Sequence, residues 1–322
     1  NLTVYNSNTK YLSGDIEVKK VLDIESGCKL SGGSSEITLS GCMDDSVVVI
    51  YEGYFVPGTS TVKYTGNCVQ KVAALPYYNL NVDAPNTTSE KRVFVPENII
   101  GVGGTFTVDN SLTNTNAYTT AGSTIEFNGT SGQTVPSFTY YNMVVNNSGL
   151  TDGGSLTNTS NFLTMTGDVV VQNQLAMTDG VLYTGATPYA LTVTGTSSNA
   201  VLDGYYTSDT KQSFIQGTLT RYLPSGLSDA NDASKYIYPV GDYSLGGYMP
   251  LTMQGLTTLA GVPQASVSVH TSTPSTGSVA DPLRSVNGSY YWDVDGNDKY
   301  GESRITLSTP RGDKTLISAA EN

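Results

Sequence analysis

The sequence predicts an all-β protein, with a β-solenoid of parallel, β-helix-like coils over residues 1–212 and a β-sandwich over residues 213–322. Three observations lead to this fold class. The 322 residues are rich in Gly (34), Thr, Ser and Asn, and Tyr (22) outnumbers Phe (7), which suits short strands joined by many turns. Apolar and polar residues alternate in short runs, and helical periodicity is almost absent. The chain also contains long-range internal repeats.

The most specific repeat has an offset of 63 residues, and its glycines and a Tyr-Tyr-Asn triplet coincide. The matching segments are 60–66, 70 and 77–82 in the first copy and 123–129, 133 and 140–145 in the second. Such an offset would hold about three coils of roughly twenty residues. Each coil of a solenoid leaves apolar surface uncovered, and stacking on the next coil buries it.

A second repeat relates residues 14–41 to residues 167–195, with one residue of slippage near its end. Gly-Asp-Ile-Glu-Val at its start is matched by Gly-Asp-Val-Val-Val. A run of β-sandwich modules would also produce short, evenly spaced strands, so this alternative stays open. The density of turns favours the solenoid.

The part of the chain after residue 212 shows a cleaner period of two. Strands are expected at 236–242, 248–253, 265–270, 290–294 and 304–308. Half-exposed antiparallel strands produce this alternation, which predicts the compact sandwich.

The charge and apolar patterns exclude several function classes. Acidic residues (28) outnumber basic ones (16), giving a net charge of −12, which disfavours binding to nucleic acid. The longest apolar run, residues 47–51, is far too short to span a membrane. A single histidine, His270, makes histidine-rich metal centres and histidine-based triads unfavourable.

The three cysteines, Cys28, Cys42 and Cys68, leave the redox state open. None forms a Cys-x-x-Cys pair, so a zinc site is disfavoured. The odd number allows one disulfide with one free thiol, or three buried thiols.

Candidate catalytic carboxylates are sparse. Polysaccharide-degrading β-helices need paired carboxylates, or carboxylates with Arg and Lys, on one face. The acids of the repeats fall mainly at turns or outward positions: Asp15, Glu17, Asp23, Glu25, Asp168 and Asp179. The sequence therefore predicts a protein that is not an enzyme.

Calcium is the one metal that the sequence suggests, and no other cofactor is predicted. Oxygen-bearing side chains cluster around a glycine turn at Asp293, Asp295, Asn297, Asp298 and Glu302. Hard cations favour such carboxylate and amide oxygens, although the spacing is not that of an EF-hand loop. The alternative is a hairpin turn that joins strands 290–294 and 304–308.

Pairs of adjacent tyrosines are the candidate glycan contacts. In a strand one ring of each pair faces inward and the other outward, and an exposed ring can stack on a sugar. The alternative is that both rings pack within the protein. The pairs proposed for glycan contact are Tyr77 with Tyr78, Tyr140 with Tyr141, and Tyr205 with Tyr206.

The same segments resemble repetitive cell-surface proteins of Bacteroidetes that are exported by type IX secretion, including large adhesins of the gliding machinery. The resemblance rests on 127–129 with 133–136 and 140–145, on the Gly-Asp-Val coils, and on 217–221, 238–242, 248–251 and 291–294. It implies export, a β-rich stalk or adhesin, and no catalytic residues. The C-terminal sorting domain of such proteins is not visible before Asn322, so we expect a processed product, a fragment or a different anchor.

These observations together predict a non-enzymatic, extracellular cell-surface protein that acts as an adhesin or stalk segment in cell adhesion. Its expected partners are surface glycans or other surface proteins, the type IX secretion machinery during export, and further copies of itself. A β-helical polysaccharide-degrading module and a self-assembling filament or sheath subunit are the alternatives.

Overall fold

The computed structural model describes residues 1–42, 48–50, 53–83, 91–96, 98–108, 117–148, 161–204, 213–229, 232–245, 247–271, 290–308 and 314–317. Strands make up 53% of the chain, and these ranges contain no α-helix. The predicted all-β class is therefore confirmed. Contacts divide the chain into two compact units, Asn1–Val144 and Val145–Asn322.

Unit 1 consists of short strands that alternate between buried and more exposed side chains. They are β1 (Leu2–Val4), β2 (Thr9–Tyr11), β3 (Ile16–Val18), β4 (Leu22–Ile24), β5 (Lys29–Ser31), β6 (Glu36–Leu39), β7 (Val48–Ile50), β8 (Tyr54–Val56), β9 (Thr61–Tyr64), β10 (Gln70–Val72), β11 (Pro76–Tyr77), β12 (Asn79–Val82), β13 (Arg92–Phe94), β14 (Ile99–Val102), β15 (Phe106–Val108), β16 (Tyr118–Thr119), β17 (Thr124–Phe127), β18 (Gln133–Val135) and β19 (Phe138–Asn146), which extends past Val144.

The strands from β1 to β17 follow one pairing rule: each described pair is parallel and joins a strand to the third strand after it. This rule produces five ladders, β3-β6-β9-β12-β15 (ladder 1), β1-β4-β7 (ladder 2), β2-β5-β8 (ladder 3), β10-β13-β16 and β11-β14-β17. Two strands therefore lie between one strand of a ladder and the next. We call the three turns that join them corners, and three strands with their corners one coil.

The core of unit 1 is built from inward columns of apolar side chains. In ladder 1, Ile37, Val62, Leu80 and Phe106 lie in register, and each is 4% exposed or less. Full burial of such a side chain contributes about 1.5–3 kcal/mol. Parallel pairing of neighbouring strands thus stacks these side chains on one another and buries them in a continuous apolar column.

Two buried glutamines fasten the corners. Gln70 Nε2 donates to the carbonyls of Leu39 and Gly41 (both 2.9 Å), and its Oε1 accepts from the amide of Gly66 (2.9 Å). A β-carbon on Gly66 would lie 2.6 Å from the Gln70 amide, so only glycine fits beside it.

Gln133 repeats this arrangement at the offset of 63 residues. It donates to Val102 and Gly104 (2.9 and 2.8 Å) and accepts from Gly129 (3.0 Å). The repeat seen in the sequence therefore preserves a hydrogen-bonding unit as well as an apolar pattern.

A disulfide and a buried arginine lie at the same corner as Gln70. Cys42 and Cys68 are bonded, and Cys28 is buried with a free thiol, which decides between the two alternatives for the cysteines. The Arg92 guanidinium is fully buried and donates to the carbonyls of Cys68 and Gly66 (both 2.9 Å). Successive corners are thus joined by both covalent and hydrogen bonds.

A closed ring of hydrogen bonds occupies the core beside β10. The amide of Ala73 donates to Tyr64 Oη (3.1 Å), and Tyr77 Oη donates to the carbonyl of Ala73 (2.8 Å). Since the Tyr77 proton is used in this way, the hydroxyl of Tyr64 donates to Tyr77 Oη (2.9 Å).

The second copy of the repeat has simplified this ring. Phe127 stands where Tyr64 does, and Pro136 stands where Ala73 does. Only the bond from Tyr140 Oη to the carbonyl of Pro136 (3.3 Å) is kept. A proline has no amide proton to satisfy, so a phenylalanine without a hydroxyl suffices beside it.

The described part of unit 2 contains the remaining strands and short 3₁₀ helices at Ser198–Ala200 and Tyr243–Leu245. The strands are β20 (Leu163–Met165), β21 (Val169–Tyr183), β22 (Leu191–Val193), β23 (Val201–Asp203), β24 (Ser213–Gln216), β25 (Leu219–Tyr222), β26 (Tyr236–Tyr238), β27 (Val240–Asp242), β28 (Gly247–Tyr248), β29 (Leu251–Gln254), β30 (Gln264–His270), β31 (Tyr291–Gly296), β32 (Arg304–Ser308) and β33 (Lys314–Ile317).

Parallel pairing continues well into unit 2. The long strand β21 pairs in turn with β22, β23 and β24 along its length. β22 then pairs with β25 and β24 with β27, so the rule of unit 1 recurs.

The chain reverses direction after β27. The next three strands, β28, β29 and β30, pair antiparallel with β27, β26 and β25 respectively, and β31, β32 and β33 extend these antiparallel ladders. The change to antiparallel pairing thus lies beyond the predicted boundary at 212/213. β27 is buried at every position, so its side chains carry no alternation that would reveal the change.

A second buried arginine supports the last parallel strands. Arg221 is fully buried in β25 and donates to the carbonyls of Ile237 (2.7 Å) and Ser197 (3.0 Å). Its guanidinium carbon lies 5.6 Å from the ring centroids of both Tyr236 and Tyr238. Desolvation by burial lowers the pKa of Arg221 to about 10.

The closed ring around Ala73 predicts a coupled pair of substitutions. Tyr64→Phe leaves the partly buried amide of Ala73 without an acceptor and the buried Tyr77 hydroxyl without a donor, and it should lower the free energy of unfolding by about 1–3 kcal/mol. Adding Ala73→Pro removes that amide and recreates the Phe–Pro pair of the second copy. We expect the double variant to be more stable than Tyr64→Phe alone, as measured by urea unfolding followed by circular dichroism; a double variant less stable than Tyr64→Phe would contradict the proposed ring.

The disulfide predicts a sensitivity to reductant. Cys42 and Cys68 are 26 residues apart, and opening a loop of this size costs about 3.5 kcal/mol in the loop-entropy model. Reductant should lower the Tm of the wild-type chain and of Cys28→Ala, but not that of Cys42→Ala/Cys68→Ala. An equal response from the double variant would show that the effect does not come from this bond.

Candidate binding surface of unit 1

The outward positions of ladder 1 form a polar, charged surface. Glu17, Thr38 and Lys63 lie in register on neighbouring strands. Lys63 also forms a salt bridge with Glu36 (2.6 Å). Both signs of charge are therefore present on this ladder and partly neutralise each other.

The outward positions of ladder 3 differ in character. One column is Thr9, Lys29 and Tyr54, and the other is Tyr11, Ser31 and Val56. None of the six is a carboxylate.

Two tyrosines dominate this surface. Tyr11 is 76% exposed and Tyr54 is 62% exposed, whereas Leu30 and Phe55 at the inward positions of β5 and β8 are buried. Lys10, which occupies the corresponding position of β2, is exposed. The ammonium of Lys29 lies 5.8 Å from the Tyr54 ring centroid. We call the surface formed by Tyr11, Lys29, Ser31, Tyr54 and Val56 the tyrosine face.

The structure separates the members of the predicted tyrosine pairs. Tyr77 and Tyr140 are buried, at 2% and 0% exposed, so neither ring offers a face to a ligand, and their assignment as glycan contacts is corrected. Tyr78 is 36% exposed and packs beside Gly104, while Tyr141 is half-buried. Within these two pairs, Tyr78 and Tyr141 are therefore the rings that stay candidates for glycan contact.

The third pair, Tyr205 with Tyr206, lies outside the described residues. Tyr11 and Tyr54 are the two most exposed tyrosines of the described residues. The sequence pattern of paired tyrosines does not include them, because neither has a tyrosine next to it. The sequence does contain a signal for Tyr54. Tyr54 and Val56 lie on either side of the inward-facing Phe55 in one short strand, which predicts that both face outward.

The residues of the calcium hypothesis are engaged in other contacts. Asn297 Oδ1 accepts from the amides of Gln264 and Lys299 (both 3.2 Å), and Asp298 pairs with Lys299 (2.8 Å). Within the described part of the chain, no three His, Cys, Asp or Glu side chains converge as a metal site.

The geometry around the glycine turn differs from the expected hairpin. Asp293 and Asp295 lie opposite Ser268 and Ser266 on β30, and Glu302 is exposed. The expected hairpin between 290–294 and 304–308 is wrong, because β31 pairs with β30 whereas β32 pairs with β29. These two strands belong to different sheets, so the turn between them connects the sheets.

Two aspartates of the Gly-Asp repeats accept hydrogen bonds from backbone amides. Asp15 Oδ1 accepts from the amide of Glu36 (2.8 Å), and Asp168 Oδ1 accepts from the amide of Ala190 (2.9 Å). Each carboxylate therefore holds the strand that follows one coil later. Asp179, expected at a turn or outward position, is 4% exposed.

His270 lies beside a serine and an aspartate, but in an arrangement unlike a catalytic triad. Its Nε2 is 2.9 Å from Ser268 Oγ and 4.0 Å from Asp293 Oδ2. In a triad the carboxylate orients the ring through the other nitrogen, Nδ1. The ring of Tyr291 stacks on the imidazole at 5.0 Å, which makes this a packed cross-strand cluster.

Comparison of the chain with models of protein families, with curated proteins and with solved structures finds no match. Among the described residues there is no helix with the length and apolar character needed to cross a membrane.

The buried tyrosines predict a loss of stability at alkaline pH. Burial raises the pKa of five phenols above the usual value: Tyr64, Tyr77, Tyr140, Tyr236 and Tyr238. In the unfolded chain these groups ionise near pH 10, whereas the folded chain keeps them protonated. Their stabilising contribution is therefore complete below about pH 10 and is lost as the pH rises above it.

Arg221 acts in the opposite direction. Its lowered pKa means that the unfolded chain binds more protons above about pH 10, so this one group makes the folded chain more stable as the pH rises from there. Because five phenols oppose one guanidinium, we expect the Tm to fall from about pH 9 to about pH 11, as measured by circular dichroism. Tyr140→Phe should make the fall shallower; an equal or steeper fall in that variant would contradict the assignment.

Proposed function

We propose that this chain is a non-enzymatic, exported cell-surface protein of the adhesin or stalk type, in which the parallel ladders form a β-solenoid spacer that presents a binding surface to glycans, cells or other subunits. The observation that carries this proposal is the pairing of each strand with the third strand after it. Such pairing stacks equivalent positions into columns, so each outer face repeats along the unit. A solenoid uses these faces for extended contact.

The fastening of successive corners supports a mechanical role. Gln70, Arg92 and Gln133 each tie a corner to the preceding coil through buried carbonyls. The disulfide between Cys42 and Cys68 adds a covalent tie. A spacer that transmits force between cell and ligand benefits from ties that bridge neighbouring coils, because stability in stacked repeats resides in the nearest-neighbour interfaces.

The antiparallel strands of unit 2 are suited to ending a parallel stack. β28, β29 and β30 occupy the edges of β27, β26 and β25, where a further coil would otherwise pair. Covered edges reduce uncontrolled strand addition. This supports a spacer with a capped end over a polymerising filament subunit.

Export is supported by the disulfide, since disulfides persist mainly in oxidising compartments. It agrees with the resemblance of the repeats to surface proteins exported by type IX secretion. The proposal requires neither a cofactor nor a catalytic residue.

Binding without turnover is the expected behaviour of the purified, disulfide-intact chain. It should bind saturably to cells or to one or more immobilised polysaccharides, while the same mixtures release neither reducing ends nor unsaturated sugars. The heat-unfolded chain is the control. Release of sugar products would favour the polysaccharide-degrading enzyme, fibres that grow with concentration in electron micrographs would favour the filament subunit, and binding to no surface would contradict the adhesin role.

A further inference from the structure

We propose that the tyrosine face binds a carboxylated polysaccharide, with the rings of Tyr11 and Tyr54 stacking on sugar rings and the ammonium of Lys29 pairing with a uronate carboxylate. This inference rests on the proposed function and names the ligand class and the residues that would take it. It concerns unit 1 alone.

The exposure of the two rings is not required by the fold. Leu30 and Phe55 fill the inward positions of β5 and β8, so burial on that side of the ladder does not use the rings of Tyr11 and Tyr54. A tyrosine ring can stack on the apolar face of a sugar while its hydroxyl stays in contact with water or a sugar hydroxyl. Two such rings on one ladder therefore form a platform.

The spacing of the rings suits an extended chain. Tyr11 and Tyr54 lie on the outer strands of ladder 3, two strands and two residues apart in register. With about 4.8 Å between strands and about 3.3 Å per residue, their Cα atoms are roughly 12 Å apart. A polysaccharide crossing the strands diagonally would place alternate sugars over the two rings and the intervening sugar over Lys29 and Ser31.

The charge of this surface differs from that of the chain as a whole. The net charge is −12, yet the outward positions of ladder 3 hold one lysine and no carboxylate. Ladder 1, by contrast, carries Glu17 and Glu36. A polyanion would meet paired charges of both signs on ladder 1, whereas the outward charge of ladder 3 is the ammonium of Lys29, beside the Tyr54 ring.

The mixed chemistry of the face favours a sugar chain over a protein partner. The hydroxyls of Thr9 and Ser31 interrupt the apolar groups, so Tyr11, Tyr54 and Val56 do not form the contiguous apolar patch that marks protein interfaces. Sugars present alternating apolar ring faces and hydroxyls, which match such a surface.

The test uses the intact chain with alginate oligosaccharides as the polyuronate and neutral β-glucan oligosaccharides of equal length, and isothermal titration as the readout. Wild type should bind alginate more tightly than the glucan. Tyr54→Leu should weaken alginate binding about tenfold, whereas Tyr54→Phe, which keeps the ring, should stay within about twofold. Tyr189→Leu, at an exposed tyrosine of unit 2, is the matched control and should bind as wild type does.

Lys29→Gln separates the charge from the stacking. It should remove the preference for alginate over the neutral glucan and flatten the dependence of binding on salt, while Lys20→Gln at another exposed lysine changes neither. Each surface variant is expected to keep the wild-type Tm, so a loss of binding reports on the contact itself.

The outcomes distinguish the two proposals. Alginate binding that survives Tyr54→Leu and Tyr11→Leu, or a wild type that prefers neutral glucans or binds only a protein ligand, overturns this inference and leaves the adhesin role standing. A chain that binds neither cells nor any glycan overturns both.

Discussion

The fold of unit 1 depends on how the backbone carbonyls at its corners are satisfied. A parallel ladder pairs the strands but leaves the corner carbonyls without partners, and burying such a group unpaired costs about 1–3 kcal/mol. Gln70 and Gln133 supply two donors each to the preceding coil and accept an amide from their own turn. Arg92 donates to two further carbonyls with its guanidinium, which accepts no hydrogen bond. These corner carbonyls can then be buried beside the parallel ladders.

This constraint explains which differences the repeats tolerate. A glutamine recurs at both copies of one corner because it offers two donors and one acceptor in the required places. At other positions the two copies of the 63-residue repeat differ in sequence, but a hydrogen-bond donor and its acceptor are kept or lost together. Tyr64 with Ala73 and Phe127 with Pro136 are two balanced solutions of the same buried position. Sequence drift in the core is therefore limited by hydrogen bonding as much as by volume.

Much of the fold could be predicted from the sequence because period-two alternation and repeats are local, additive signals. The positions of the antiparallel strands β29 to β32 followed from alternation. The 63-residue offset aligned Gln70 with Gln133, and the structure gives the two glutamines equivalent contacts. Pairing partners did not follow, since alternation defines a strand and its faces but not the neighbour it meets. The link between β31 and β32 was misassigned for that reason. The choice of Cys42 and Cys68 likewise depends on corners that meet only in three dimensions.

The candidate site was the least predictable part, because the core and the outer faces obey different rules. Adjacent tyrosines drew attention as a pattern, yet a pair on a strand must place one ring inside, and Tyr77 and Tyr140 are those rings. Packing does not determine which residue occupies an outward position. An exposed ring can therefore be recognised as part of a surface only when the residues beside it on the same ladder are known. Tyr11, Lys29 and Tyr54 are scattered over 44 residues of sequence and come together through the register of β2, β5 and β8. In a stacked fold of this kind the core sets the spacing of the columns, and the ligand class is determined by which side chains fill them on the outside.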